Sequence, residues 1–270
     1  MLALAQQRRR EVGREDIIHL LGSSRKAADH VIQSLRRKGW LERASWGNYL
    51  LIPPEQGPDA LGESNLLALA SRVVEPYYIG YATAAAHYGL TTQHRNVICL
   101  VTPAHVRDRR IGDGLVKIVN PVPHKFFGFA TVDVLGYQVI LSDREKTVID
   151  CIDRSELAGG VGETAYILAT ASPRLDWEKT ASYLERMAST ALVRRFGWLV
   201  DHVGADVPAA EREHLLWLAA RHTNAFLGPR REVKGAVGYN RTWRLFVNVT
   251  REDLSASAGL GRRRTVKRET

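Results

Sequence analysis

The residues of this 270-residue chain with the most pointed chemistry are long hydrogen-bond donors at helical spacing. Lys26, His30, Gln33 and Arg37 recur at intervals of four, three and four. At about 100° per residue they share one helix face with Asp29, opposite Ala28, Val31, Ile32 and Leu35. Arg25 and Arg36 flank that face. A helix that turns Arg, Lys and Gln away from its apolar side offers what DNA base edges ask for, a cation for guanine and an amide for adenine. A charged face is also what any solvated helix presents, so the surrounding elements have to decide between the two.

Other chemical arrangements carry less. Gly159-Gly160-Val161-Gly162-Glu163-Thr164 has the glycines of a phosphate loop, but Glu163 stands where that loop needs lysine. A helix end precedes it where a strand is needed, and the reading rejects a nucleotide loop. Asp143, Glu145, Asp150 and Asp153 suggest a metal-dependent nuclease, but a blander account covers them. Asp143 and Glu145 fall in a first helical turn, where the dipole favours anions. Asp150 and Arg154 stand at the i, i+4 spacing of an ion pair. The nine histidines are scattered, and no GxSxG nucleophile elbow is present. Cys99 and Cys151 lack CxxC spacing and sit in apolar runs, which predicts buried thiols in a reducing compartment. No catalytic residue, metal site or cofactor is therefore expected.

The elements around the donor face fit a known order. Leu2 to Val12 reads as a first helix ended by Gly13, and Arg14 to Leu21 as a second stopped by Gly22. Ser23 or Ser24 caps the third, which runs to about Lys38 and closes at Gly39. Trp40–Arg43 and Asn48–Ile52 read as strands of a hairpin, and Pro53-Pro54 ends the second. Helix, turn, helix and hairpin is the order of a winged helix-turn-helix over residues 1–54. The candidate DNA contacts are Ser23, Ser24, Arg25, Lys26, His30, Gln33 and Arg37, with Arg43, Trp46 and Asn48 at the wing, facing phosphate or minor groove.

Charge location agrees with that reading. The net charge is +9, of which residues 1–52 hold +5 and residues 259–270 hold +4, leaving the rest neutral. A neutral body with basic ends predicts a dedicated polyanion-binding module. Residues 55–62 read as a linker and 63–254 as a larger mixed α/β domain, so the fold class is α+β. Within that domain Glu63–Val74 and Gly80–Gly89 read as helices, and Val97–Val101, Val116–Val119 and Val134–Leu141 as strands. Ser142-x-x-Glu145 reads as a capping box, four helices are expected between Gly160 and Arg221, and Thr242–Val249 is a last strand. Residues 255–270 read as a basic, disordered tail. Mean hydropathy is −0.21. The run 76–94 is broken by Gly80, Thr83, His87 and Gly89 and reads as core instead of membrane span. No secretory signal is expected either, which predicts a cytoplasmic protein.

The series of stretches resembles one family. Leu35–Arg43 with Gly47–Pro53, then Tyr78–Gln93, Leu141–Asp150, Leu157–Gly160, Leu227–Pro229 and Trp243–Asn248 appear in the order found in AbiEi-type antitoxins of type IV toxin–antitoxin systems. The resemblance spans roughly residues 14–250. It implies a transcriptional repressor that binds inverted-repeat operator DNA in its own promoter. It also implies that the larger domain counteracts a co-encoded nucleotidyltransferase toxin, without a stable complex. Two other readings stay open: a stand-alone winged-helix transcription factor whose C-terminal domain senses a ligand or partner, and an enzyme built on the acidic cluster.

Overall fold

Strand pairing begins with the first residues that the computed structural model of the chain describes. The described residues are 11–45, 47–51, 63–93, 96–111, 114–134, 137–220, 225–230 and 234–255. They divide into two compact units. One comprises Met1–Ile79, Asn96–Asn120 and Thr131–Ile140; the other Gly80–Arg95, Pro121–Ala130 and Leu141–Thr270. These units cut across the boundary read at residues 55–62, which itself lies outside the described residues.

The first unit opens with β1 (Glu11–Gly13), α1 (Arg14–Leu21), α2 (Arg25–Arg37), β2 (Leu41–Ser45) and β3 (Asn48–Leu51). Glu11 and Val12 were expected to end a helix. They pair instead with Leu50 and Tyr49 of β3, which gives a sheet of order β1-β3-β2. Gly13 accordingly begins α1 instead of closing a helix before it, and its amide donates to Asp16 Oδ2 at 2.8 Å. The rest of that expected helix, Leu2 to Arg10, lies outside the described residues. Ser24 is the cap of α2, its Oγ accepting from Ala27 N. The core of the module is the predicted apolar set. Ala28 and Ile32 of α2 are buried with Val12, Ile17, Leu41, Tyr49 and Leu51.

The same unit continues through α3 (Glu63–Ala70) into most of a six-stranded sheet. Its strands are β4 (Tyr78–Ile79), β5 (Val97–Val101), β6 (Arg109–Ile111), β7 (Gly114–Val119), β8 (Phe129–Val134) and β9 (Tyr137–Ser142), in the order β6-β7-β5-β4-β9-β8. The apolar runs at 97–101 and 116–119 are the parallel neighbours β5 and β7. The single strand expected over Val134–Leu141 is two, since Val134 ends β8 and Tyr137 starts β9. Gly114 sits against Leu66 of α3, whose methyl would have to shift for a Cβ 2.5 Å away. Tyr137 Oη donates to the carbonyl of Leu51, at the end of β3.

The second unit is mostly helical: α4 (Tyr81–His87), α5 (Arg144–Asp153), α6 (Val161–Ala171), α7 (Trp177–Arg186), α8 (Thr190–Val203) and α9 (Ala209–Leu218). A small sheet of β10 (Ala225–Phe226), β12 (Leu245–Val247) and β11 (Gly238–Asn240) follows in that spatial order, then α10 (Arg251–Ser255). Helix α5 is buried at every position from Glu145 to Ile152. Its cap is Asp143, whose Oδ1 accepts from Lys146 N at 2.8 Å, one residue later than the expected Ser142. Trp243, Leu245, Val247 and Val249 are all buried, as their alternation predicts, although only Leu245–Val247 is strand. Trp243 lies on α8, where a Cβ at Gly197 would meet its ring at 2.3 Å, and its indole N–H donates to Asp201. Cys99 and Cys151 are buried free thiols. Among the described residues no helix is long and apolar enough to cross a membrane. The architecture is thus α+β, an N-terminal winged helix-turn-helix followed by a larger mixed α/β region.

Candidate nucleic-acid interface

Helix α2 owes its position to contacts on three sides. Its apolar stripe closes on the hairpin, Ser24 caps its start, and Gly39 at φ 70° lets the chain turn into β2. Arg14 ties the module together. Its Nε donates to Asp29 Oδ1 at 2.7 Å, while its backbone N–H donates to Gly47 O, in the turn between β2 and β3. Asp29, which the helical wheel puts among the outward residues, therefore spends its charge on α1.

The outward face is as the spacing predicts. Ser24, Arg25, Lys26, His30, Gln33 and Arg37 are exposed, and so are the cations Arg36 and Lys38. From Lys26 to Arg37 the row runs about 16 Å along the helix, roughly five base-pair steps of B-DNA. Arg25 reaches Glu15 of α1 at 3.4 Å with both side chains largely in solvent, a weak pair that phosphate can replace. Ser23 differs from the others. It is half-buried, and its Oγ is enclosed without a hydrogen-bond partner. On the hairpin, Arg43 of β2 and Asn48 of β3 are exposed, and Gly47 takes φ 81° in the turn between them. Trp46 lies outside the described residues. Arg36 and Lys38 are the cations that the list of candidate contacts left out; their signal, a basic run Arg36-Arg37-Lys38, is plain in the sequence.

The acidic cluster of the second unit has different partners from those expected. Asp150 pairs with buried Lys146 rather than with Arg154, and Arg154 pairs with Glu156. Asp153 is held by Lys125 at 2.7 Å. Lys179 joins Glu145 at 2.8 Å and Asp143 at 3.1 Å; burial disfavours its charge, but these two carboxylates outweigh that and raise its pKa. Burial and a hydrogen bond to Asp143 push the Tyr183 phenol up to about 12. Every acid of the cluster thus has a cation in contact. The phosphate-loop-like glycines open α6, with Gly160 at φ 98°, and Glu163 accepts hydrogen bonds from Thr91 Oγ1 and Gln93 Nε2. Two stretches that carry the resemblance, Leu227–Pro229 and Trp243–Asn248, meet here. Asn248 accepts from Gly228 N and donates to Pro229 O.

No protein-family model matches the chain, and no curated protein does. Among solved structures it is similar to the RV2827C protein from Mycobacterium tuberculosis, with a TM-score of 0.64 at 20% identity. The likeness covers 90% of this chain and 88% of that one, so the two share a fold over nearly their whole length.

Proposed function

We propose that this chain is a DNA-binding transcriptional repressor of its own operon and the antitoxin to a co-encoded nucleotidyltransferase toxin. The observation that carries the DNA-binding part is the exposed row on α2, Lys26, His30, Gln33 and Arg37, on a helix whose opposite side is locked to the hairpin. Its length and donor types suit base edges in the major groove, with Arg25, Arg36, Lys38 and Arg43 on flanking phosphates. A repressor of this kind works in the cytoplasm at the nucleoid, on duplex DNA bearing an inverted repeat. The antitoxin part is supported by the resemblance of the stretches from Leu35 to Asn248.

Mobility shift with duplex DNA from upstream of the gene, against scrambled duplex, tests the first part. Gln33→Ala is expected to cost about 1–3 kcal/mol on the specific duplex only. Arg25→Ala and Arg36→Ala, on flanking phosphates, weaken binding to both duplexes and each lower the slope of log K against log salt by about 1. Equal retardation of both duplexes by wild type and all three variants would sink the reading. Co-expression of the full chain with the neighbouring gene product tests the second part: growth rescue is expected, and persistent arrest overturns it.

A further inference from the structure

The small sheet of the second unit carries aromatic side chains in one register row. Phe226 of β10 and Tyr239 of β11 each stand opposite Phe246 of the central strand β12. Phe226 stacks on Phe246 with ring centroids 5.3 Å apart, and Tyr239 lies 4.8 Å from Phe246 on its other side. Leu245 and Val247, which alternate with Phe246, point into the core, so the row is on the outer face of the sheet. Cross-strand aromatic pairs stabilise sheets in any setting. Here the rings remain open, with Tyr239 53% and Phe246 37% exposed.

The row leads to a cavity of 860 Å³, which Phe226 itself lines together with Arg195 and Arg230. Arg230 lies over the Phe226 ring at 5.6 Å. Arg195 uses Nε on the carbonyl of Phe226 and one further N–H on the carbonyl of Asp153, which leaves guanidinium donors over. Among the described residues neither arginine has a carboxylate at ion-pair distance. The acids around them are engaged: Asp153 with Lys125, Glu156 with Arg154, and Asp253 with Thr250 in a capping box. The objection raised by Glu163 also falls away, because its carboxylate is turned to Thr91 and Gln93 and does not line the cavity.

An aromatic row with exposed rings at Tyr239 and Phe246, running to guanidinium groups at a cavity, matches a base attached to a phosphate, for every base has a π face and stacks without regard to sequence. We propose that the Phe226–Phe246–Tyr239 row and the Arg195/Arg230 cavity form a nucleoside-phosphate site, one that takes its ligand free or as part of a single-stranded nucleic acid. The site shares no residue with α2 and does not rest on the duplex-binding reading.

The test titrates the full chain with a labelled 12-nucleotide single-stranded RNA and, separately, with AMP. Tyr239→Ala and Arg230→Gln are the main variants, both at exposed positions, with thermal melting as the check on folding. Each is expected to weaken binding by about tenfold, and Tyr239→Trp to restore it. Saturable AMP binding that competes with the RNA identifies the free nucleotide as the source. RNA binding that AMP does not displace identifies the strand. Failure of both probes to bind, or binding that neither Tyr239→Ala nor Arg230→Gln alters, overturns the proposal.

Discussion

Lys146 and Asp150 sit in α5 with side-chain exposures of 1% and 3%, so neither charge has water to fall back on. Lys146 also faces the Phe127 ring at 5.1 Å. Breaking such a pair from one side leaves an uncompensated buried charge, and Asp150→Asn is expected to cost about 3–5 kcal/mol in urea unfolding. The double change Lys146→Met with Asp150→Leu removes both charges and should recover most of that loss. If the double variant were as unstable as the single one, the pair's charge would not be the cause. Tyr183 makes a second residue-scale test. Its pKa rises on folding to about 12, so its contribution is present below pH 10 and is lost as pH climbs towards 12. Wild type should lose stability more steeply than Tyr183→Phe across that window, and parallel curves would contradict the assignment.

At the scale of the element, α8 and the Trp243 turn fit only because residue 197 has no side chain. Gly197→Ala gains about 1 kcal/mol in helix propensity but forces the indole aside. That ring is held by Asp201 on its nitrogen and by the Arg212 guanidinium 5.8 Å from its centre, so it cannot shift freely. A net loss of about 1–3 kcal/mol is expected by thermal unfolding; an unchanged Tm would mean that the turn relaxes. Helix α2 was legible from Ser24 to Lys38 because its cap, its apolar stripe and Gly39 are all local signs. The strand at Glu11 and Val12 was not, since its pairing partners lie nearly forty residues away. Asp150 had a cation at both i−4 and i+4, and only burial, which belongs to the folded chain, selects Lys146. The aromatic row was illegible for the same reason: Phe226, Tyr239 and Phe246 become neighbours through strand register alone. The exposed row Lys26, His30, Gln33 and Arg37 was legible from spacing alone, while the ion pair of Asp29 was not, because Arg14 reaches it from another helix.

For the whole molecule, the chain passes between its two compact units five times, each unit being built from three segments. The winged helix is one end of a unit that also takes in β5, β7 and parts of β8 and β9. Tyr137 of β9 meets the carbonyl of Leu51, and Leu66 of α3 fills the space that Gly114 leaves. The fold shared with RV2827C extends over both units, as the 90% coverage requires.

This interlacing has a consequence for manufacture. A ribosome adding ~5–20 residues per second reaches residue 140 only after roughly 7–28 seconds, and until then the first unit lacks its last strand. On the reading proposed above, the DNA-binding end belongs to a unit whose last segment, Thr131–Ile140, is made some eighty residues after its hairpin.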